Sequence, residues 1–194
     1  MKRTLLATFL ALSMATAQAA YVTEIEPNNS FATAQNLNGL FTLDADTDIT
    51  NSTTWAHASV RGNGNDDFGQ TRDFFRFSTA GGHVLFDIDY GMNDLDSWLN
   101  LYDAGGVPIG SHDDGGVLDN GTIHGWDSYW DVVLAAGDYV VSVGKFYNDN
   151  LGRGQDYVLH ISLENPVLVP EPASLALMGL GLAGLAALRR RKYA

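Results

Sequence analysis

Cysteine is absent from all 194 residues of the chain. This absence excludes a disulfide scaffold, a thiol nucleophile and any metal site built on thiolates. Basic residues are also scarce, with 11 Lys and Arg against 23 Asp and Glu. Between residues 21 and 165 only five basic residues face 22 acidic ones, a net charge of −17. A domain with that charge is repelled by phosphate backbones, so nucleic-acid binding is excluded, whereas hard cations are suitable partners.

Two apolar stretches lie at the two ends of the chain. At the start, Lys2 and Arg3 precede an apolar run over residues 5–14, and Ala17 and Ala19 follow it. A charged segment, an apolar run too short to span a bilayer and small residues before a cleavage point are typical of a secretory signal peptide. The sequence therefore predicts a signal peptide over residues 1–19 and export of the domain that follows.

At the other end, an apolar run over residues 175–188 leads into a cluster of arginines. A helix of that length extends about 21 Å, short of the roughly 30 Å hydrocarbon core, so the run predicts a weak transmembrane anchor. Its cationic end is expected on the cytoplasmic side, with the domain outside. Gly179, Gly181 and Gly184 imitate a dinucleotide-binding pattern, but no strand–helix–strand unit surrounds them, so nucleotide binding is rejected.

This C-terminal segment resembles the PEP-CTERM sorting signal of exported Gram-negative proteins. The resemblance rests on a Pro-Glu-Pro motif, a glycine-rich apolar helix and terminal arginines in that order: Pro170, Glu171, Pro172, Arg189, Arg190 and Arg191. It implies recognition by an exosortase, a transient inner-membrane anchor, removal of the tail, and delivery to the cell surface or extracellular matrix. Such proteins often accompany exopolysaccharide or biofilm systems. We assign residues 166–194 to the sorting signal and residues 20–165 to the domain.

Glycines punctuate the middle of the chain, and the runs between them are rich in β-branched and aromatic residues. In one such run Tyr139, Val141 and Val143 share a face, as expected for a strand. Eight or nine short strands with no long helical period predict an all-β fold, a β-sandwich or jelly roll. One short helix is expected over Ser30–Asn36, with Asn29 or Ser30 as its N-cap. The predicted strands are Gly39–Leu43, Trp55–Arg61, Arg72–Ser78, His83–Tyr90, Ser97–Asp103, Val107–Gly110, Tyr129–Leu134, Tyr139–Gly144 and Asp156–Leu163.

The order of these segments resembles the bacterial pre-peptidase C-terminal domain, a β-sandwich appended to secreted proteins. The matching stretches are residues 24–30, 73–77, 96–103, 113–114 and 136–143. Relatives of that family include the collagen-binding domains of clostridial collagenases, and its members usually accompany a peptidase. This chain has no room for a peptidase, which argues against a protease-accessory role.

Two carboxylates and two amide carbonyls fall close together at the start of the domain: Glu24, Glu26, Asn28 and Asn29. Pro27 favours extended backbone before it, so Glu24 and Glu26 are expected to point the same way. Oxygen donors of this kind suit Ca²⁺, which takes roughly six to eight of them. In the collagen-binding relatives the matching motif ligates Ca²⁺ with an aspartate at the position of Asp73, so the resemblance implies a calcium site that includes Asp73.

Two features of this motif leave its role open. The relatives carry a further aspartate where this chain has Gln70, and Asp66 or Asp67 would have to replace it. In the alternative interpretation, Asn28 and Ser30 cap the short helix and the glutamates are solvated.

A second acidic group is spread over loops that a sandwich gathers at one end: Asp94, Asp96, Asp113, Asp114 and Asp119, with Asn120 and Asp127. These residues are expected to converge, unless they serve only as turn formers. The run Asp44-x-Asp46-x-Asp48 imitates the start of an EF-hand loop. Ile49 replaces the required glycine and Trp55 the final glutamate, so the run does not form an EF-hand.

Aromatic residues supply one positive hypothesis for binding. Trp98, Asn100 and Tyr102 are expected to share a strand face, and Trp126 lies in a loop flanked by glycine and acidic residues. Exposed Trp and Tyr make stacking platforms for sugar rings, so Trp98, Tyr102 and Trp126 are candidate carbohydrate-stacking residues. The alternative is that Trp98 and Tyr102 are buried because the strand is covered on both sides.

The sequence gives little support to a catalytic role. The histidines show no metal-ligand spacing, and His160 alternates with Leu159 and Ile161, so it is expected to be an exposed strand residue. No serine lies in a nucleophile-elbow motif. We therefore expect a non-catalytic surface or exopolysaccharide-matrix protein that binds or scaffolds, with Ca²⁺ as its candidate cofactor. The alternative is a carbohydrate-active enzyme or lectin-like carbohydrate binder in the same matrix.

Overall fold

The computed structural model describes residues 21–64, 72–116, 120–147 and 150–167. The predicted signal peptide, residues 168–194 of the predicted sorting signal, and the candidate ligands Asp66, Asp67 and Asp119 lie outside these residues. Within the described ranges, no helix is long and apolar enough to cross a membrane.

Ten strands form two five-stranded sheets in the described part of the chain. The first sheet has the order β1-β3-β10-β5-β8 and the second the order β2-β4-β9-β6-β7. Neighbouring strands are antiparallel, except that β1 pairs with β3 and β2 with β4 in parallel. The strands are β1 Val22–Thr23, β2 Gln35–Asn36, β3 Ala56–Asn63, β4 Asp73–Thr79, β5 Gly82–Asp89, β6 Ser97–Asp103, β7 Pro108–His112, β8 Tyr129–Leu134, β9 Gly137–Lys145 and β10 Asp156–Leu163.

The core lies between the two sheets and is built from alternate residues of each strand. Leu99 and Leu101 of β6 are fully buried, and so are Phe86 and Ile88 of β5. Phe77 of the second sheet meets Phe86 of the first edge-on, with ring centroids 5.6 Å apart. The alternation therefore folds into a β-sandwich, which confirms the predicted fold class.

The outer face of the first sheet is also buried, because a covering segment, residues 44–55, lies over it. Ile49 and Thr50 of this segment line a small cavity together with Asp87 of β5 and His160 of β10. The covered face is polar, and its buried side chains are His57, Ser59, Asp87, Asp89, His160 and Ser162. His160 is only 1% exposed, so the expectation of an exposed strand residue is wrong. Its alternation places it on the outer face as expected, but that face is not in solvent.

Two predicted elements differ from the structure. The predicted strand Gly39–Leu43 reduces to a single bridge, in which Thr42 and His57 exchange backbone hydrogen bonds of 2.9 and 2.8 Å. The predicted helix Ser30–Asn36 is one 3₁₀ turn, Phe31–Thr33. Ser30 precedes it and donates its amide to the Thr33 hydroxyl at 3.1 Å. The chain then enters β2 because Gln35 and Asn36 pair with β4, which ends the helical turn.

Candidate functional site

The first acidic group forms where β1 leaves the first sheet. The Glu24 amide donates to the Arg61 carbonyl at 3.0 Å and so extends the pairing of β1 with β3. This fixes the Glu24 side chain beside Asn63, whose backbone and side-chain nitrogens both donate to Oε1, at 2.8 and 2.6 Å. Glu24 is 8% exposed, so a carboxylate of the N-terminal segment is held inside the domain.

Asp73, the first residue of β4, brings a second buried carboxylate to the same place from the other sheet. The Tyr157 hydroxyl of β10 donates to Asp73 Oδ2 at 2.6 Å. The next amide along β4, that of Phe74, donates to the Asn28 carbonyl at 2.9 Å. Asn28 is therefore fixed against the start of β4, and its own amide donates to Glu26 Oε2 at 2.9 Å.

One carboxylate oxygen each from Glu24, Glu26 and Asp73 lies within 4.8 Å of the other two. Glu24 and Asp73 are buried, whereas Glu26 is exposed. Asn28 is fully buried beside Glu24, and neither its side-chain oxygen nor its side-chain nitrogen forms a hydrogen bond of normal geometry. Asn29, the other amide of the motif, is half-buried. The structure thus brings together four of the five residues predicted as a calcium site.

The electrostatics of this group are dominated by burial and by like charges. Burial raises the pKa of Glu24 to about 7, against the hydrogen bonds from Asn63. Burial and the neighbouring Glu24 charge raise the pKa of Asp73 to about 9. Burial, with the Asp73 and Glu24 charges, also raises the pKa of Tyr157 well above its ordinary value, so Tyr157 remains a hydrogen-bond donor. The set consists of oxygen donors with excess negative charge, which fits Ca²⁺.

The second predicted acidic group is brought together only in part. Burial raises the pKa of Asp96, and the charges of the neighbouring Asp114 and Asp113 add to the effect. Asp94 is exposed and has a left-handed backbone, with φ of 54°. Asp127 is buried and accepts the Ile123 amide at 2.9 Å, as in a turn. In the described ranges this region forms no cluster comparable to the group around Glu24.

The aromatic candidates divide between two places. Trp98 and Tyr102 lie on the outer face of the second sheet, half-buried, with Asn100 between them. Trp98 packs edge-on against Phe146, with centroids 5.7 Å apart. Trp126 lies in the loop before β8, where it is 50% exposed and packs against His124 at 5.1 Å.

Sequence reasoning missed a second group of metal-ligating side chains, on the covered face of the first sheet. Atoms of Asp48, Asp89 and His160 lie within 4.8 Å of one another, and all three residues are buried. The acidic run ending at Asp48 and the outward alternation of Asp89 and His160 were visible in the sequence. Nothing in the sequence indicated that residues 44–55 fold back over this face, so their meeting was not predicted.

Comparison with known proteins identifies the C-terminal segment. Residues 168–192 match the model of the PEP-CTERM protein-sorting motif, which confirms the predicted sorting signal. The motif indicates export and exosortase-dependent sorting, with a transient membrane-anchored step before a surface or extracellular location. No curated protein matches the chain.

Two solved structures are similar to the described domain. One is the pre-peptidase C-terminal domain of a collagenase from Bacillus anthracis, with 11% identity over 55% of this chain and 87% of that chain, at a TM-score of 0.37. The other is PliG from Aeromonas hydrophila, a periplasmic inhibitor of g-type lysozyme, with 18% identity over 56% of this chain and 85% of that chain, at a TM-score of 0.36. The β-sandwich follows from the two sheets of this chain, and neither similarity adds to it a ligand, an activity or a partner.

Proposed function

We propose that this chain is a non-catalytic protein of the cell surface or exopolysaccharide matrix of a Gram-negative bacterium, and that Ca²⁺ bound by Glu24, Glu26, Asn28 and Asp73 stabilises its β-sandwich. The observation that carries the calcium proposal is the convergence of three carboxylates on a fully buried amide that forms no hydrogen bond of normal geometry. The role of the domain is to bind or to scaffold.

The charge of the group supports a cation as its partner. The raised pKa values of Glu24 and Asp73 mean that the hydrogen-bond donors around them do not compensate two negative charges at neutral pH. A divalent cation would relieve this repulsion locally, in a domain that carries an excess of acidic residues throughout. Asn28 would then contribute its amide oxygen, which explains why a fully buried amide is retained without a well-formed hydrogen bond.

The position of the group supports a stabilising role. Glu24 follows β1 of the first sheet, and Asp73 begins β4 of the second sheet. A cation between them would join the two sheets and hold the N-terminal segment to the sandwich. Because Ca²⁺ accepts irregular oxygen sets and Mg²⁺ demands octahedral geometry, calcium is the ion that this arrangement favours.

Thermal melting of the purified full chain in EDTA, Mg²⁺ or Ca²⁺ at fixed ionic strength tests the calcium proposal. Calcium at one hundred times its Kd contributes about 2.7 kcal/mol, which raises Tm by roughly 5–10 °C. Asp73→Asn should abolish this increment, whereas Asp138→Asn, which changes one exposed carboxylate of the second sheet, should retain it. A Ca²⁺ effect no larger than that of Mg²⁺, or one retained by Asp73→Asn, would refute the site.

The proposed surface location predicts that the mature protein lacks the tail beyond about Pro172. Intact-mass measurement of surface-exposed protein from the native host tests this directly. A main species that retains Arg189–Arg191 would contradict removal of the tail and with it the proposed route.

The covered face argues against one catalytic interpretation. Ser59, His160 and Asp89 lie in a row that imitates a catalytic triad, but they are 4%, 1% and 0% exposed. A substrate could not reach the Ser59 hydroxyl without displacement of the covering segment, so this row does not support a hydrolase.

A carbohydrate-binding role is the second candidate, and the half-buried row Trp98, Asn100 and Tyr102 favours it. Aromatic side chains beside an amide on a half-buried sheet face suit neutral sugar rings. Affinity electrophoresis through gels containing a neutral polysaccharide tests this role. Trp98→Ala should lose retardation, and Trp126→Ala, in the loop before β8, should keep it. Equal mobility of all forms with and without polysaccharide would dismiss the role.

A further inference from the structure

The group formed by Asp48, Asp89 and His160 is assembled from three distant parts of the chain. Asp48 belongs to the covering segment, Asp89 ends β5, and His160 lies in the middle of β10. Their exposed fractions are 9%, 0% and 1%. One ligand-type atom of each residue lies within 4.8 Å of the other two, so two carboxylates and an imidazole share one enclosed space.

The ring of His160 is oriented by a hydrogen bond on its far side. Its Nδ1 lies 2.7 Å from the Ser59 hydroxyl, and its Nε2 lies 3.1 Å from Asp89 Oδ2. If Nδ1 donates to Ser59, the neutral ring presents the lone pair of Nε2 to a carboxylate. A metal ion between the two atoms would satisfy both of them; without a metal ion, the neutral ring can instead carry its proton on Nε2, donate to Asp89 and accept from Ser59 at Nδ1. An outer hydrogen bond of this kind is how metal-binding histidines are usually oriented.

Asp48 is likewise held by groups that lie outside the cluster. The hydroxyls of Tyr21 and Tyr90 donate to its Oδ2 at 2.8 and 2.9 Å, and the Thr47 hydroxyl donates to Oδ1 at 3.2 Å. Burial alone would raise the pKa of Asp48, but these hydrogen bonds outweigh it and hold the pKa below its ordinary value. Asp48 is therefore fixed in direction, as a metal ligand requires.

Backbone closes the space on the side of Asp89. A Cβ on Gly121 would lie 2.3 Å from Asp89 Oδ2, so only glycine lets this loop approach the carboxylate so closely. The neighbouring Asn120 donates its side-chain amide to the Thr47 carbonyl at 2.9 Å, which ties this loop to the covering segment. The cluster is thus enclosed by two loops that hydrogen-bond to each other.

We propose that Asp48, Asp89 and His160 bind a first-row divalent transition metal ion, for which Zn²⁺ is the probe. An imidazole with two carboxylates suits Zn²⁺ better than Ca²⁺, which prefers oxygen alone. In a tetrahedral zinc site with bonds near 2.0–2.2 Å, ligand atoms lie about 3.4 Å apart, close to the separation of His160 Nε2 and Asp89 Oδ2. This site is independent of the proposed calcium site, since the two share no residue.

The test is titration of the purified full chain, carrying no polyhistidine tag, with Zn²⁺ by calorimetry and with Co²⁺ by visible absorption. We expect one ion to bind tightly per chain, and bound Co²⁺ to show the absorption of a nitrogen- and oxygen-ligated ion. His160→Gln and Asp48→Asn should each weaken Zn²⁺ binding by at least about tenfold, and Ser59→Ala, which removes only the outer hydrogen bond, by about tenfold.

Two control variants distinguish binding at this site from binding elsewhere on the chain. His83→Gln removes an exposed histidine that lies 2.9 Å from Asp131, and it should leave tight Zn²⁺ binding unchanged if surface histidines are not the ligands. Asp73→Asn should abolish the effect of Ca²⁺ and leave that of Zn²⁺ intact. Circular dichroism checks that each variant is folded.

The proposal also predicts how the wild-type chain responds to Zn²⁺. Zn²⁺ should raise its Tm further when Ca²⁺ is already present at a concentration that saturates the proposed calcium site. Failure of the wild-type chain to bind Zn²⁺ or Co²⁺ above the level of the folded His160→Gln variant would overturn the proposal, and would leave His160 and Asp89 as a buried hydrogen-bonded pair.

Discussion

The two buried carboxylate groups of this domain show opposite electrostatic behaviour. Around Glu24 and Asp73, burial and mutual repulsion raise the pKa of both carboxyl groups. At Asp48, burial acts in the same direction but three hydroxyl donors reverse it. The difference lies in the neighbours, because Asp73 faces the Glu24 charge and has one tyrosine hydroxyl, while Asp48 has two tyrosines and a threonine. Whether a buried acid remains charged therefore depends on what the fold supplies around it.

The pH dependence of stability is expected to give the largest contrast between the groups. The pKa values of Glu24 and Asp73 in the folded chain exceed the unfolded value near 4. In EDTA, their contribution to the free energy of unfolding is therefore fully present below about pH 4. It is lost as the pH rises through about 7 for Glu24 and about 9 for Asp73. We expect Tm in EDTA to fall by roughly 5–10 °C between pH 5.5 and pH 9. The increment caused by Ca²⁺ should grow over the same range, since protons compete with the ion.

Asp73→Asn is the matched variant for this pH series. It removes one raised titration and keeps an oxygen that can accept from Tyr157, so the fall in Tm should be clearly smaller. If the pH profile in EDTA were the same with and without the substitution, the general acidity of the domain would explain the dependence and the local account would be wrong.

Removal of a hydroxyl donor should lower the free energy of unfolding more at Asp73 than at Asp48. Tyr157→Phe leaves a buried carboxyl oxygen without its donor, which should cost about 1–3 kcal/mol in urea unfolding at pH 6. Tyr21→Phe leaves Tyr90 on the same oxygen of Asp48, so a smaller cost of about 0.5–1.5 kcal/mol is expected. Equal costs would mean that redundant donors do not protect Asp48.

The smallest contrast concerns the backbone that encloses Asp89. Gly121 and Gly39 both have positive φ, of 101° and 86°, but a Cβ at Gly39 meets nothing within 4 Å. Both alanine variants should therefore share the conformational cost, and Gly121→Ala should lose about 1 kcal/mol more because it displaces the Asp89 carboxylate. If both alanine variants lost the same free energy of unfolding in urea, the Asp89 carboxylate would move aside at no energetic cost.

Much of the sandwich could be predicted from local patterns. Strict alternation marks β6, because Leu99 and Leu101 face the core and Asn100 between them does not. The strand predicted over Gly39–Leu43 failed because its residues lie beside the covering segment and pair only at Thr42. The two-residue strands β1 and β2 are too short to carry a pattern at all, and they exist through their parallel pairing with long neighbours.

The sites were less predictable for a related reason. The acidic motif at Glu24 is contiguous, but its partner Asp73 was suggested only by a resemblance to known domains. The group around His160 depends on residues 44–55 folding over a sheet face, and that contact is made between positions more than one hundred residues apart. Alternation predicts on which side of a strand a residue lies, but it does not predict what covers that side.

The last strand of the domain contributes to both proposed metal sites, since Tyr157 donates to Asp73 in one and His160 belongs to the other. Tyr157 and His160 lie on β10, which ends at Leu163, and Pro166 bridges back to Thr79 immediately before the sorting motif begins at residue 168. If the chain crosses the membrane N-terminus first, Tyr21 and Glu24 cross it before the β10 residues of their groups, Tyr157 and His160, do. A product truncated before Asp156 would lack Tyr157 in one group and His160 in the other, so both groups are complete only in a chain that extends almost to the sorting motif.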